Sequence, residues 1–429
     1  MLHARLSCVL IAVVLSNVFA QAQANQTLSI DQLVEAGLER NRDFLAAKQR
    51  LAEAQALLRQ ARTRPAPTVE VEGTTGRPLG TIGEEEFSIG YFKPIETAGK
   101  RDKRIQVARN GFDLAQTEVT ERSRQLAFDI RTRYVDAAAE QQKLQLFNSA
   151  LETNQEYFRL TKARVDRGDA APLEANLFAT ELSRSEAQQM VSAGRAESAL
   201  SDLKRAAGFS TADPLLISGE FDMPSLNFSL VDLMRRAETG RPDVRSAAIL
   251  ESQAQAELAL AEAEGRPDVT VSARYSFRNS RFDAFGLTAQ GALTPIVDHD
   301  NLLTFGISIP FFTQQHNFGN IEAARARLAA AQLRRDHLER AAALEVESVY
   351  KRFTAATRAL DVLRAGVVTQ SQQTLQVIRQ AYNLGQLRMF DVLNEQRRAF
   401  DTQLAFIDAQ AEAAKAFAEL ERAVGGNLR

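Results

Sequence analysis

Two parts of the chain alternate strictly between apolar and polar residues. A period of two is typical of β-strands that have one apolar and one polar face. In the second half of the chain it runs through Val269, Val271, Ala273, Tyr275 and Phe277, and then through Leu303, Phe305, Ile307 and Ile309. In the first half it runs through Val69 and Val71, and then through Phe87, Ile89 and Tyr91. The pattern predicts one β-hairpin over about 67–94 and another over about 267–311.

Most of the remaining chain has the period of a helix. Between 101 and 167 the apolar residues recur every seven positions from Ile105 to Leu126 and, after a shift of four, from Ile130 to Val165. A seven-residue repeat is typical of coiled coils, and a four-residue shift locally relaxes the supercoil. A single helix over this range would be about 100 Å long. Shorter helices are predicted over about 31–63, 173–207, 229–264 and 389–424.

The same order of elements occurs twice, because residues match at a nearly constant offset. The offset is 200 for Leu33 and Leu233, 216 for Tyr134 and Tyr350, and 217 for Gly168 and Gly385. The jump of 16 indicates an insertion between the repeated prolines of the second copy, which we expect to lengthen the loop of its hairpin. We therefore predict a first repeat at 25–207, a connector or equatorial element at 208–228, and a second repeat at 229–429.

The first 24 residues have the features of a secretory signal peptide. A short positive region with His3 and Arg5 precedes the apolar run 9–14, and Ala22-Gln23-Ala24 fits a cleavage site. An N-terminal membrane anchor is the alternative, but the apolar run is too short to span a bilayer. The only cysteine, Cys8, lies inside this segment. We expect a mature exported chain that needs no disulfide.

Charge and motifs exclude several classes of function. The formal net charge is -2, so the chain lacks the basic field that indicates nucleic-acid binding. Catalytic and nucleotide-binding motifs are absent from the sequence, and His299, His316 and His337 fall at no metal-ligand spacing. We therefore expect no enzyme activity, no cofactor, no resident metal and no nucleic-acid partner.

Four amphipathic strands are too few to cross a membrane alone, because their edges would leave backbone groups unpaired in lipid. Three chains would supply twelve strands, which is enough for a closed barrel with an even strand number. A soluble antiparallel coiled-coil protein with added hairpins is the alternative, and it explains neither the signal peptide nor the alternating strands.

This doubled unit of hairpin, long helix, turn and helix resembles the outer membrane efflux protein (TolC) family. The resemblance covers nearly the whole mature chain, and it is sharpest in the turn from Gly385 to Leu393 and in its counterpart, Gly168 with Glu174. The segment Pro94–Arg101 resembles the heavy-metal, CzcC-like branch. The resemblance implies a mainly α fold with a minor β part, assembled as a homotrimer with a 12-stranded β-barrel in the bacterial outer membrane and an α-helical tunnel in the periplasm.

The resemblance also implies a function and partners. We expect a passive exit duct that receives heavy-metal cations from an inner-membrane pump of the RND type through a periplasmic adaptor protein. Export of drugs or proteins through the same fold is an alternative. A periplasmic adaptor is a rival from another class, but adaptors carry one helical hairpin and all-β domains, whereas this chain carries two helical hairpins.

Three groups of candidate site residues follow from the resemblance and the strand pattern. The periplasmic constriction would contain Asp391, Glu174 and Asn394, the last standing where a second acid is expected; Asp391 could instead cap its helix. The adaptor would dock on the two helix-reversing turns, through Arg167, Gly168, Asp169, Gly385, Gln386 and Leu387. The alternative is that the two glycines only supply the backbone geometry that reverses the helices. Seven residues on or beside the strands would form an aromatic belt at the membrane interface: Tyr91, Phe92, Tyr275, Phe277, Phe305, Phe311 and Phe312. The alternative is that these side chains only pack between the strands.

Overall fold

The computed structural model describes residues 27–79, 84–219, 228–311, 317–384 and 386–428. The predicted signal peptide, Gly385 and Phe312 lie outside the described residues. The fold is mainly helical with a minor antiparallel sheet, which confirms the predicted class. In the first repeat the elements are α1 (Ile30–Arg40), α2 (Arg42–Ala61), β1 (Thr68–Thr75), β2 (Glu85–Ile95), α3 (Lys100–Asp166) and α4 (Pro172–Ala206).

The second repeat has the same order of elements. They are α5 (Leu230–Gly240), α6 (Pro242–Glu264), β3 (Val269–Leu287), β4 (Leu293–Ser308), α7 (Phe318–Val362), α8 (Val368–Asn383) and α9 (Met389–Val424). No helix among the described residues is long and apolar enough to cross a bilayer.

Each opening helix is interrupted, so the prediction of one continuous helix at 31–63 and at 229–264 is wrong. The break lies at Asn41 in the first repeat and at Arg241 in the second. Asn41 accepts hydrogen bonds from the backbone N–H groups of Asp43 and Phe44, at 3.0 and 3.1 Å, and so caps α2. In the second repeat Pro242 occupies the first position of α6, and a proline disfavours helical geometry in the residue before it.

The four strands form one antiparallel sheet in the order β1-β2-β3-β4. Its register places Tyr91 opposite Ala273 and Ala273 opposite Phe305, so apolar residues from three strands share one face. The residues between them, such as Gly90, Arg274 and Thr304, line the other face. The sheet therefore has the one apolar and one polar face that the alternation predicted.

The insertion in the second repeat lengthens the strands of the hairpin rather than its loop, which corrects the expectation from the sequence. β3 has 19 residues and β4 has 16, whereas β1 has 8 and β2 has 11. Pairing continues to Leu287 opposite Leu293, with a register shift between Arg281 and Phe285. Polar residues at 278–281 and 298–301 conceal this extension in the hydrophobicity pattern.

The long helix of the second repeat contains a π-helical segment that the first repeat lacks. α3 runs for 67 residues without a break, but Leu363–Val367 forms a π-helix between α7 and α8. A π-helical turn accommodates one additional residue in a helix. The sequence offset rises from 216 at Tyr134 and Tyr350 to 217 at Gly168 and Gly385, so one residue is added within this stretch. The π-helix therefore accounts for the added residue.

The structure divides into two compact units, and each draws on both repeats. The first comprises Thr117–Arg245 and Leu338–Arg429 with the described residues up to Gln49, and the second comprises Arg50–Gln116 and Ser246–His337. The first unit contains two equivalent core clusters. One gathers Leu33, Ile130, Leu203 and Ala207, and the other gathers Leu233, Val346, Leu420 and Val424. These residues correspond one to one under the sequence offsets, so the duplication extends to the packing.

Candidate functional site

The first helix-reversing turn is a glycine-terminated helix end with an ion pair beside it. Gly168 has φ of +80°, which a side chain would disfavour. Its N–H donates to Val165 O at 2.9 Å, and the N–H of Asp169 donates to Arg164 O at 2.9 Å. This bond pair is the Schellman motif that closes many helices. Arg167 Nε and Asp169 Oδ2 lie 3.4 Å apart on the exposed surface of the turn.

The second turn repeats part of this geometry. The N–H of Gln386 donates to Ala381 O at 2.9 Å, which is the bond that corresponds to Asp169 and Arg164. Gln386 and Leu387 are exposed. Apolar side chains flank both turns without cover: Leu173, Leu384 and Phe390 are 66%, 74% and 62% exposed. The geometry of Gly168 explains the helix reversal at the first turn, but it does not explain these exposed apolar side chains.

The two helical hairpins pack against each other close to the turns. Phe178 of the first repeat is fully buried among Met389, Val392 and Leu393 of the second repeat. The ring centroids of Phe178 and Tyr157 lie 5.6 Å apart. This cluster fixes the start of α9, the helix that carries Asp391 and Asn394.

Asp391 caps the start of α9. Its Oδ2 accepts a hydrogen bond from the backbone N–H of Arg388 at 3.0 Å. A carboxylate at this position is favoured because it satisfies an unpaired N–H group and interacts with the helix dipole. The side chain is nevertheless exposed, and Asn394 on the same face is half-buried. The structure thus shows the capping role, whereas the role in a constriction stays a prediction.

Glu174 lies at the matching position of α4 and is half-buried. Glu174 is close enough to Tyr382 to affect its pKa. Burial raises the pKa of the Tyr382 hydroxyl, and the positive charge of Arg164 opposes this increase. The negative charge of Glu174 raises the pKa further. Arg164 donates to the Tyr382 hydroxyl at 2.9 Å. Glu174 therefore belongs to a small charged cluster between the two hairpins.

A polar network, for which the sequence carries no local signal, lies about one to three helical turns further along the hairpins. Asn154 is buried and donates to Ser185 Oγ at 2.6 Å, while Gln396 donates to Asn154 Oδ1 at 2.9 Å. Glu181 accepts from Arg397 at 2.5 Å. These side chains line a cavity of about 150 Å³. Asn154 and Ser185 occupy core positions of a coiled coil, where a polar residue fixes the register at a cost in stability.

The candidate belt residues do not all lie on one face of the sheet. Tyr91, Tyr275, Phe277 and Phe305 share the apolar face and are exposed, with Phe305 at 74%. Phe92 pairs with Ser272 on the polar face and lies under the guanidinium of Arg274, 5.7 Å from its ring centroid. Its assignment to the belt is therefore wrong. Phe311 follows β4 and is exposed, so its position is compatible with either role.

Ion pairs connect neighbouring strands on the polar face of the sheet. Arg274 contacts both Glu70 and Glu72 of β1, and Arg278 contacts Glu86 of β2 at 3.3 Å. These pairs link strands that belong to different repeats. A charged face opposite an apolar face is the arrangement of a sheet that separates lipid from an aqueous lumen.

The segment Pro94–Arg101 is the junction between β2 and α3. Ala98 and Gly99 both have positive φ, at +56° and +66°. Asp268, immediately before β3, accepts from the Thr97 N–H at 2.9 Å and pairs with Lys100 at 2.8 Å. The motif that resembles the heavy-metal branch therefore has a structural task, which is to turn a strand into a helix. Within the described ranges, no group of three or more His, Cys, Asp or Glu side chains is placed to hold a metal ion.

Comparison with known proteins identifies the family. The profile of the family described as outer membrane efflux protein matches residues 33–209 and again 233–426. The solvent efflux pump outer membrane protein SrpC of Pseudomonas putida is 24% identical over 414 residues, which are 92% of this chain and 84% of SrpC. The cobalt-zinc-cadmium resistance protein CzcC of Cupriavidus metallidurans is 21% identical over 411 residues, which are 94% of this chain and 91% of CzcC.

Solved structures share the fold. The Campylobacter jejuni CmeC outer membrane channel superposes with a TM-score of 0.75 at 14% identity, covering 94% of this chain and 89% of CmeC. The channel CusC superposes with a TM-score of 0.74 at 19% identity, covering 93% of this chain and 92% of CusC. Since the family profile matches most of the chain, the protein belongs to the outer membrane efflux protein family.

Proposed function

We propose that this chain is the outer-membrane duct subunit of a tripartite efflux system, and that it works as a homotrimer with a 12-stranded barrel. Membership of the family makes it an outer-membrane efflux protein, with its helical part in the periplasm. The observation that carries the trimer is the four-stranded sheet, which has one apolar and one polar face and two open edges. Three such sheets would pair every inner edge and close the barrel.

The mass of the purified protein tests the assembly. Light scattering in detergent, corrected for bound detergent, is expected to give the mass of three chains. A monomer that also fractionates away from membranes would contradict the proposal. Light scattering leaves the question of cargo aside, so the two parts of the proposal can fail independently.

For the cargo we propose heavy-metal cations. Two metal-resistance proteins, CzcC and NccC, are among the relatives, and Pro94–Arg101 resembles the same branch. The absence of a metal cluster among the described residues is compatible with a duct, because tight binding would slow passage. The solvent efflux relative SrpC supports a second candidate, the export of organic solvents.

Deletion of the gene distinguishes the two cargoes. The deletion strain is expected to become sensitive to zinc, cobalt or cadmium, and to regain resistance with the wild-type gene. Sensitivity to toluene without sensitivity to any metal would favour solvent export. As a control, the deletion strain receives the wild-type gene of a structurally similar channel in place of this one, which tests whether the sensitivity arises from a loss of envelope integrity.

We propose that the two turns contact the periplasmic adaptor. The exposed apolar side chains beside the turns, Leu384 and Phe390, support this proposal, since uncovered apolar patches commonly mark protein interfaces. A cysteine at Asp169 or Gln386 is expected to form crosslinks with the adaptor in cells. Crosslinks to the adaptor only from a cysteine at Asp283, which lies in β3, would contradict the proposal that the turns contact the adaptor.

A further inference from the structure

An open cavity of about 820 Å³ lies in the first compact unit, at the break between α1 and α2. The end of α4 and the residues that follow it, as far as Thr211, complete its wall. This volume falls in the range of pockets that bind small molecules. The duct function proposed above makes no use of this cavity.

The side chains around this cavity, which we name the basic cavity, carry an excess of positive charge. Asp202 is paired with Arg205 at 2.9 Å. Arg40, Arg42 and Lys204 form no ion pair with any residue that the structure describes. The charged residues that line the cavity are four bases and two acids: Arg40, Arg42, Lys204, Arg205, Asp43 and Asp202.

Two of the unpaired cations are held by contacts that leave their charge in place. The guanidinium carbon of Arg40 lies 4.8 Å from the ring centroid of Phe209. Lys204 Nζ donates to Thr211 O at 3.5 Å. A guanidinium held in this way is suited to a carboxylate, because its planar set of N–H groups matches two carboxylate oxygens.

A carboxylate of the chain itself shows how these cations act on an anion. The pKa of Asp213 lies below its ordinary value, first because the Ser210 N–H donates to it at 2.8 Å. The positive charges of Arg40 and Lys204 lower that pKa further. Their field therefore favours a charged carboxylate beside the cavity, and one carboxylate is too few to neutralise three unpaired cations.

The second repeat has an equivalent place, which allows a direct comparison. Gly208 and Gly425 correspond under the offset of 217, and their φ values are +75° and +90°. A Cβ at Gly208 would lie 2.8 Å from the carbonyl carbon of Arg40, and a Cβ at Gly425 would lie 2.9 Å from Arg241 Cα. Each glycine thus lets the end of a long helix approach the break in the opening helix of its own repeat.

At this equivalent place the cations are paired with carboxylates. Arg241 contacts Asp243 at 2.7 Å and Glu345 at 2.6 Å, and Arg422 contacts Glu345 at 2.8 Å. The two repeats therefore share the backbone contact and differ in how their charges are compensated. The unpaired cations of the basic cavity are not a requirement of the fold, which indicates that they serve to bind an anion.

We propose that the basic cavity binds the carboxylates of cell-wall peptides. Membership of the family places the helical part in the periplasm, where the peptide stems of the cell wall present carboxylates on a fixed polymer. Arg42 and Lys204 would pair with these carboxylates, while Arg40 and Phe209 would form the wall beside them. The site would hold the duct at a fixed position in the cell wall. This proposal rests on the periplasmic location and is independent of the trimer and of the cargo.

Cosedimentation with purified cell-wall sacculi tests the proposal. The wild type in detergent is expected to sediment with the sacculi at low salt and to be released by added salt, because salt screens exposed charges. Arg42→Gln combined with Lys204→Gln should bind at least about tenfold more weakly, since hydrogen bonds to charged groups are lost.

The matched control removes two exposed positive charges of the same compact unit outside the cavity. Lys162→Gln combined with Arg195→Gln should bind like the wild type. The thermal unfolding midpoint of each double variant checks that the fold is kept. Equal binding of the two double variants, or no binding of the wild type, would overturn the proposal.

Calorimetry with soluble fragments tests the chemistry of the ligand. Cell-wall peptides with intact carboxylates are expected to bind the wild type, and the same peptides with amidated carboxylates should not. Inorganic phosphate is the comparison anion. Binding of phosphate as tight as that of the intact peptides would overturn the proposal, because the cavity would then hold anions without preference for carboxylates.

A photocrosslinking residue at Thr211, which is exposed at the cavity wall, tests the contact in cells. After digestion of the cell wall, mass spectrometry is expected to find a peptide-stem adduct at this position. Thr374, exposed on α8 and outside the cavity lining, should give none. An adduct at Thr211 with another protein only would overturn the proposal. A monomeric mass in light scattering would contradict the trimer and leave these results unaffected.

Discussion

Replacing Arg241 by methionine is expected to destabilise the first compact unit. The guanidinium is buried at the break between α5 and α6, where it donates to Glu345 at 2.6 Å, to both oxygens of Asp243, and to Ala423 O at 3.0 Å. The last of these bonds satisfies a carbonyl at the C-terminus of α9. Methionine would keep the apolar stem and leave all three acceptors without this donor.

The size of the effect follows from the exposure of the partners. Removing one member of a buried ion pair costs about 3 to 5 kcal/mol. Asp243 and Glu345 remain 30% exposed, and Arg422 also pairs with Glu345 at 2.8 Å, so we expect the lower end, about 3 kcal/mol. In the first repeat Asn41 has the matching place and donates to Ala206 O at 3.0 Å. Asn41→Ala removes that bond and a helix cap, for about 1 to 2 kcal/mol.

Native-state proteolysis in detergent measures this difference. When opening is fast relative to cleavage, the cleavage rate follows the population of the open form. About 3 kcal/mol corresponds to roughly a hundredfold faster cleavage of Arg241→Met, and the cost of Asn41→Ala to roughly tenfold. Cleavage of Arg241→Met no faster than that of Asn41→Ala would refute the reasoning, since the buried ion pairs would then contribute nothing beyond a cap.

The pH dependence of the same variant provides an independent check. Burial by itself raises the pKa of the Asp243 carboxyl, but its hydrogen bonds and its attraction to Arg241 outweigh burial and hold that pKa below the ordinary value. A depressed pKa adds stability at pH values above the ordinary one, and this stability is lost as the carboxylate becomes protonated in acid. The difference in thermal unfolding midpoint between wild type and Arg241→Met should therefore shrink below about pH 4.

Three further changes have expected outcomes. Ile307→Arg should reduce membrane insertion, because an arginine on the lipid face costs about 2 to 4 kcal/mol near the bilayer midplane, whereas Ser308→Arg on the polar face should be mild; equal yields of folded trimer would contradict this. Asp391→Asn keeps an acceptor for the helix cap and removes the charge, so weaker cation preference in planar bilayers is expected, with Asp401→Asn as the control. Ala98→Gly should raise the thermal midpoint by about 1 °C, because relief of about 1 kcal/mol of left-handed strain is divided by the unfolding entropy of a 429-residue chain; a lower midpoint would show that Ala98 is not strained.

The sequence alone predicted the elements whose pattern repeats over many residues. The seven-residue spacing of α3 and the alternation of β3 and β4 place the apolar side chains where the structure has them. The helix-reversing turn at Gly168 was also predictable, since glycine is the residue that adopts positive φ at a helix end. These features depend on local geometry and require no knowledge of distant contacts.

Features that depend on one or two residues were less accessible. The break at Arg241 had a signal, Pro242, but the surrounding helix formers concealed it. Phe92 was grouped with Tyr91 because they are adjacent aromatics, although neighbours in a strand point to opposite faces. The network around Asn154 has no local signature, because it brings together residues that are 31 and 242 positions apart.

The π-helix at Leu363–Val367 has a consequence for how such a duplicated chain can diverge. One extra residue in a regular α-helix would rotate everything beyond it by about 100°, and every later contact of α8 would face a new direction. The π-helical turn takes up the extra residue locally, and Leu420 and Val424 of α9 still pack at the positions that match Leu203 and Ala207 of α4. A gene with two fused copies can therefore acquire length differences between them one residue at a time, without passing through a form whose long helices no longer fit together.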